Sequence, residues 1–484
     1  MKIKSTIGQL RKAVMKNAPC AVLGLFAAAS PLTAADLLIE HPSPFTVIQR
    51  DTDTTGIITV SGKIPVGQKA GKVKARFNGG EWQEVKILAD GTAFSGGITG
   101  QTGQGALEVR TLGGAESHGR VETVGVGDLF LITGQSNADG RGTVMVEMNL
   151  DNPFIGVKYH QGKWSKGDDP SSNDPVSASP WPIVLNDLIP DHRIPVGFIT
   201  AALGSTVARQ WRHVDGATSK NAWGEGGMFA RTVEIVKAAT GGTMKIKAVI
   251  YHQGENDMTH WNALNVKGDY TAYKEHLVAV VTDLWDAFRA PVLVGQITNL
   301  NTPESKRREN DNIRRAQQEV WTEHPHALQG AVTYDIMPTD GVHYKMADNM
   351  RVYAGRWTSA IQHGVYGEKK MAYPSLQSVR KTGDRQLTLT YDQPLRIAAW
   401  DGKENAKSVG FSFVNGGELL TDVQVVSTAI AGNEARIELD RPVASEWMIS
   451  YGSGADGQGE AILRSKINDL PVPMMFERKI DSAR

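Results

Sequence analysis

Two textures of hydrophobic patterning alternate along the 484 residues. From Asp36 to about Val124, apolar and polar residues alternate in GIITVSGKIPV, GKVKARFNGGEWQEVKIL and GALEVRTL. A period of two predicts strands with one face buried. FNGGEW, inside the second of these runs, predicts a hairpin turn, because Asn and Gly accept positive φ. At Asp128 the texture changes. DLFLIT, PVGFITAA, KAVIYHQ, PVLVGQIT and GAVTYDI are short, nearly continuous apolar runs, as expected of strands covered on both faces. Helical stripes lie between them: Phe229, Thr232, Val233 and Val236; Tyr273, Leu277, Val280, Val281, Leu284, Trp285 and Phe288; Ile313, Ala316 and Val320; and the segment RVYAGRWTSAIQHG. After about Tyr373 the strand-like texture returns in RQLTLTYD, KSVGFSFV, TDVQVVSTAI, EARIELD and EWMISYG.

Strands alternating with helices imply an α/β domain with a parallel sheet and helices on both faces. The pattern predicts four segments: a signal peptide over 1–35, an N-terminal β domain over 36–125, the α/β domain over 126–372 and a C-terminal β domain over 373–484. The flanking domains read as β-sandwich-like. The first segment starts with Lys2, Lys4, Arg11, Lys12 and Lys16, continues through the apolar AVLGLFAAAS and ends in the small residues of PLTAAD. That layout predicts cleavage near Ala34 or Ala35 and export to the periplasm or the medium. The apolar run is shorter than the roughly 20 residues of a spanning helix, and no comparable run follows, so no stable membrane insertion is expected after signal removal. The single cysteine, Cys20, precedes the apolar run, and cleavage leaves a chain without thiol chemistry. Charge narrows the partners further. With 52 basic against 52 acidic residues and no long basic run, nucleic acid is not an expected partner.

In a parallel α/β sheet, ligands bind beyond the carboxyl ends of the strands. Four polar sites fall there: Ser136 in LITGQSNADGRG, Gly204 in ITAALGSTVARQW, the group Gln253, Gly254, Glu255, Asn256 and Asp257 in YHQGEND, and Asp340 with His343 in PTDGVHY. A lone serine at a strand-to-helix turn is more often a helix cap. A serine nucleophile needs a base. His343 can supply it, and Asp340, three residues earlier across Gly341, can orient the imidazole. Acyl transfer also needs donors for a developing oxyanion. The backbone N–H groups of Ser136 and Gly204 are candidates, completed by the carboxamide of Gln253 or Asn256, with Gln253 favoured by its place at the strand end. Trp164, Trp211, Trp223 and Trp261 are aromatic candidates for stacking on sugar rings, against the ordinary alternative of packing. Arg209 and Arg141 are candidates for a substrate carboxylate, and Glu255 for substrate contact or loop support. No His-x-His or Glu-x-x-His pair suggests a catalytic metal, no P-loop lysine is present, and no cofactor is expected.

Together, Gly134-Gln135-Ser136-Asn137, Gly204, Gln253-Gly254-Glu255 and Asp340-Gly341-Val342-His343 resemble the SGNH hydrolase superfamily, most of all the sialate O-acetylesterase-type carbohydrate esterases. The resemblance covers roughly Gly127 to Gly367. It implies a flavodoxin-like three-layer fold, Ser136, His343 and Asp340 as the catalytic set, and flanking β domains. Gln135 stands where SGNH hydrolases at large carry Asp, which matches the narrower branch. Ala138 stands where that branch often has Met, and the Gly204 block is a loose match. The expectation is an exported serine esterase removing O-acetyl groups from an acetylated carbohydrate. The alternatives are an esterase for another acyl ester and a non-catalytic glycan-binding protein.

Overall fold

The structure is a computed structural model that describes residues 36–481, apart from 115, 259–261, 299, 301–306, 405–409 and 454–459. The segment read as a signal peptide lies outside the described residues.

Six strands form the α/β part of the largest sheet: β1 (His118–Gly134), β2 (Val157–His160), β3 (Val196–Thr200), β4 (Ala248–His252), β5 (Val292–Gln296) and β6 (Ala327–Val332). Their spatial order is β2-β3-β1-β4-β5-β6, all parallel. The chain lays β2 and β3 on one side of β1, then crosses to lay β4 on the other. That reversal opens a crevice at the carboxyl end of β1, where open α/β sheets bind ligands.

The continuous apolar runs exist because both faces are covered. Successive side chains of β1 point to opposite faces. Leu129 and Leu131 join Ile199, Val249, Tyr251 and Val294 in one core. Helices α3 (Gly227–Ala239), α4 (Tyr270–Phe288) and α5 (Arg307–Glu323) pack there, through the stripes that the sequence displays. Phe130 and Ile132 join Phe198, Ile250 and Leu293 in the other core. That face is closed by α2 (Trp181–His192) and α6 (Ala347–Gly364).

β1 is 17 residues long. Its first half pairs antiparallel with Gly103–Leu112 of the N-terminal strands, and its second half is the middle of the parallel sheet, so one 14-stranded sheet runs through both regions. The strand Val47–Gln49 lies parallel to β1 at Gly125–Gly127, over the position where the sequence texture changes. Nearby, the buried Asp128 accepts from Arg50 Nε at 2.8 Å. Among the described residues after 373 the chain forms sheets of four, two and four strands around a third core. Val332, the last residue of β6, and Tyr334 just past it are part of that core.

Candidate active site

The nucleophile candidate is delivered by a forced turn. β1 ends at Gly134, at φ 117, and a Cβ there would collide with the carbonyl of His252 at the end of β4. Only glycine tolerates both the backbone angle and the approach. Gln135 is extended, its N–H donates to His252 O at 2.9 Å, and Ser136 opens the short helix α1 (Ser136–Asp139). Ser136 thus sits in the crevice beside β1.

The base candidate comes from the loop beyond β6. Asp340 Oδ1 accepts the backbone N–H groups of Val342 at 3.1 Å and His343 at 2.8 Å, which winds the loop around the carboxylate. The N–H of Thr339 donates to His343 O at 2.8 Å and closes it. Asp340 Oδ2 lies 3.0 Å from His343 Nδ1, and His343 Nε2 lies 2.9 Å from Ser136 Oγ. With Nδ1–H donating to the carboxylate, Nε2 is left as acceptor for the serine hydroxyl. Lys345 Nζ stands 2.7 Å from the same Asp340 Oδ2. Partial burial would raise the Asp340 pKa, but the hydrogen bonds from Lys345 and His343 hold it well below the usual carboxylate range.

Three loops are fastened to one another beneath this array. Gln135 Oε1 accepts the N–H of Asn256 at 3.1 Å and faces Gln253 Nε2 at 3.3 Å. Asn137 Nδ2 donates to Glu255 Oε1 at 2.7 Å and to Val342 O at 3.1 Å, so one side chain joins the nucleophile turn, the β4 loop and the histidine loop. Burial would raise the Glu255 pKa, but the hydrogen bond and charge of His252, with the Asn137 donor, bring it below its ordinary value. Asp257, in the same loop, is pushed up to about 7 by burial, against hydrogen bonds from the Ala208 N–H and Gln253.

Gly204 sits beside the nucleophile: a Cβ built on it would stand 3.6 Å from Ser136 Cβ and would collide with Arg141 Nη2. The reading of Gln253 as the oxyanion donor is corrected. Its side chain is fully buried, and Nε2 is engaged by Asp257 Oδ2 at 2.6 Å and by Gln135 Oε1 and Thr206 O, both at 3.3 Å. It braces the loop. Asn256 is half-buried on the short helix Glu255–Met258, tied to Gln135 by its backbone. Trp211 is also corrected: it is fully buried against Tyr251 with Nε1 on Thr206 Oγ1, and presents no face to a sugar. Glu255 is buried in the network above and does not reach solvent. Arg209 is half-buried and paired with Glu225 at 2.8 Å. Trp164 is buried, Trp223 is exposed, and Trp261 lies outside the described residues. Sequence reasoning missed Lys345, whose signal is its place two residues beyond His343. It also missed Asp139 as a partner for Arg141; the i, i+2 pair of opposite charges was there to find.

No curated protein matches the sequence. Residues 126–354 match the family described as carbohydrate esterase, sialic acid-specific acetylesterase. Among solved structures, a carbohydrate acetylesterase from Xanthomonas citri is similar with a TM-score of 0.62 at 18% identity, over 90% of this chain and 97% of that one. At that identity the likeness is one of fold. A protein from Arabidopsis thaliana matches at 15% identity and TM-score 0.38, over 49% of this chain and 99% of its own. An acetyl xylan esterase from the rumen bacterium Butyrivibrio proteoclasticus matches at 10% identity and TM-score 0.31, over 70% and 96%.

Proposed function

We propose that this chain, which over residues 126–354 belongs to the sialic acid-specific acetylesterase family of carbohydrate esterases, is an exported serine esterase that removes O-acetyl groups from a carbohydrate. One observation carries the reading: Asp340, His343 and Ser136 form a continuous hydrogen-bonded relay of 3.0 and 2.9 Å at the sheet's crevice. The strand order with helices on both faces supports a flavodoxin-like three-layer SGNH domain, and the flanking sheets support β-sandwich-like domains.

In this reading Ser136 Oγ attacks the ester carbonyl while His343 Nε2 takes its proton. The tetrahedral oxyanion meets the backbone N–H groups of Ser136 and Gly204. The side-chain donor passes from Gln253 to Asn256, the other carboxamide of the loop. Collapse expels the sugar oxygen, which takes the proton back from His343. Water, deprotonated by the same imidazole, then releases acetate and frees the serine. Asp340 stays ionised throughout, orients the ring and stabilises its cation.

Ser136→Ala should lower acetate release from acetylated glycans, and from a small aryl acetate, by several orders of magnitude while thermal unfolding stays put, because triad members act as a unit. Near-wild-type turnover in a folded Ser136→Ala protein would falsify the mechanism. Protein recovered from the native cell envelope or medium should begin near Ala35 or Asp36.

A further inference from the structure

We infer that Arg141 is a specificity-determining residue that donates from Nη2 to an uncharged oxygen of the sugar beside the scissile ester. The inference rests on the esterase reading above and deepens it by assigning the group that meets the glycan.

The two arginines singled out in the sequence differ in their surroundings. Arg209 is paired with Glu225, and the same carboxylate faces Arg212. Arg141 is built differently. Its Nη1 donates to Asp139 Oδ2 at 2.7 Å, to Ser172 Oγ at 3.2 Å and to the carbonyl of Gly140. Its Nη2 lies against Gly204, on the side of that α-carbon that also faces Ser136. The space a side chain at 204 would fill is therefore bounded by the nucleophile and by this guanidinium edge. Asp139 is itself fixed: its Oδ1 accepts from Asn173 N at 2.9 Å and Asn173 Nδ2 at 2.7 Å, and Asn173 Nδ2 also donates to Ala202 O, two residues before Gly204. The Arg141 side chain keeps 23% of its surface exposed, while that of Asp139 keeps 2%.

Two consequences follow. The guanidinium is immobilised before substrate arrives, so a hydrogen bond from Nη2 carries little further ordering cost. Its charge is already compensated by a buried carboxylate at ion-pair distance. A hydroxyl, ring or glycosidic oxygen needs only the donor, whereas a substrate carboxylate would also face Asp139. The geometry thus favours a neutral oxygen as the acceptor.

The test compares wild type, Arg141→Met and Arg141→Lys on three esters: partially acetylated xylo-oligosaccharides, an acetylated oligogalacturonide and 4-nitrophenyl acetate. In Arg141→Met, the ratio of kcat/KM on the neutral glycan to that on the aryl acetate should fall about ten- to a hundredfold, the worth of one hydrogen bond from a charged donor. Arg141→Lys should recover part of the ratio, and the acidic glycan should lose no more than the neutral one. An equal fall on all three esters would place Arg141 with the Ser136–Gly204 geometry and overturn the proposal. So would a loss confined to the acidic glycan, or an unchanged ratio. If wild type hydrolyses none of the three, it is the esterase reading that fails. Calorimetric binding of the acetylated xylo-oligosaccharides to Ser136→Ala, with and without Arg141→Met, then judges Arg141 alone. Weaker binding without the arginine supports it, and equal affinity overturns it.

Discussion

Two nitrogen donors meet at one oxygen of Asp340. His343 Nδ1 and Lys345 Nζ both reach Oδ2, at 3.0 and 2.7 Å. The Asp340 pKa is depressed in the folded protein, so the stability it contributes is present above the ordinary carboxylate range and is lost only as pH falls through its lower folded value. The carboxylate is therefore ionised across the ordinary carboxylate range and above, and the acid limb of the rate profile should report the uptake of a single proton by the base. Lys345 bears on that limb. Its charge opposes formation of the imidazolium, so Lys345→Met should let Asp340 hold the ring proton more strongly and move the limb to higher pH. The pair is partly exposed and screened, so the expected shift is on the order of a few tenths of a pH unit, shrinking as salt is raised. The check is kcat/KM against pH at two ionic strengths. A limb that stays put or moves to lower pH would show that Lys345 does not act on the dyad.

At the scale of elements, β1 and β3 to β6 were legible because burial on both faces leaves an unbroken apolar run, and α3 to α6 because each buries one stripe. α2 and β2 were not. α2 is packed into its core through Trp181, Ile183, Val184, Leu185, Leu188 and Ile189 and carries prolines at 182 and 190, so no one-sided stripe emerges. β2 is a short strand of four residues ending in a polar one, paired with β3 on one side and with Lys163–Lys166 as a hairpin on the other. The hydrogen-bonded array of Asp340, His343 and Ser136 was legible because its parts are local: Asp340 and His343 share one loop, and Ser136 lies two residues past the end of one strand. The choice between the two carboxamides was not, because it depends on which way a loop turns after Gly254. Position along the chain favoured Gln253, but that side chain points into the loop and pairs with Asp257. The expectation is now reversed. Asn256→Ala should lose about a hundred- to a thousandfold in kcat with little change in KM. Gln253→Ala should lower the melting temperature, since it strips a buried donor from Asp257, and should affect kcat less. Steady-state kinetics beside thermal unfolding for both variants decides it, and a Gln253→Ala protein that melts like wild type yet loses kcat alone would restore the first reading.

For the whole molecule, the seam between the α/β region and the C-terminal sheets is an ion cluster that no motif announces. Asp335, just past β6 and fully buried, accepts Arg356 Nη2 from α6 at 2.9 Å and Arg464 Nη1 from the C-terminal strand Ile462–Ser465 at 2.7 Å. Arg464 is buried as well, and its other partner is Asp469 at 2.8 Å. Hydrophobic patterning cannot find such a cluster, because its members look like surface charges in their own segments, and Arg464 meets Asp335 across 129 residues of chain. Its energetics follow from burial. A buried pair is weak evidence of net stabilisation, but removing one partner leaves the other charge dry and uncompensated, at a cost of about 3 to 5 kcal/mol. Asp335 is the member whose loss takes the carboxylate from Arg356 and leaves Arg464 with Asp469 alone. Asp335→Ala should therefore lower the unfolding temperature clearly. Arg441→Ala, which removes a solvent-facing contact to Asp422 and Asp440, should change stability by no more than about 0.5 kcal/mol. Because Val332 and Tyr334 share the C-terminal core, loosening this seam should also disturb the segment leading to Asp340 and His343. Esterase activity of Asp335→Ala should then fall at temperatures below its unfolding transition. Calorimetry with activity measured across the same temperature range checks both parts. Equal unfolding temperatures for the Asp335 and Arg441 variants would mean that the seam is held by apolar packing rather than by its ions.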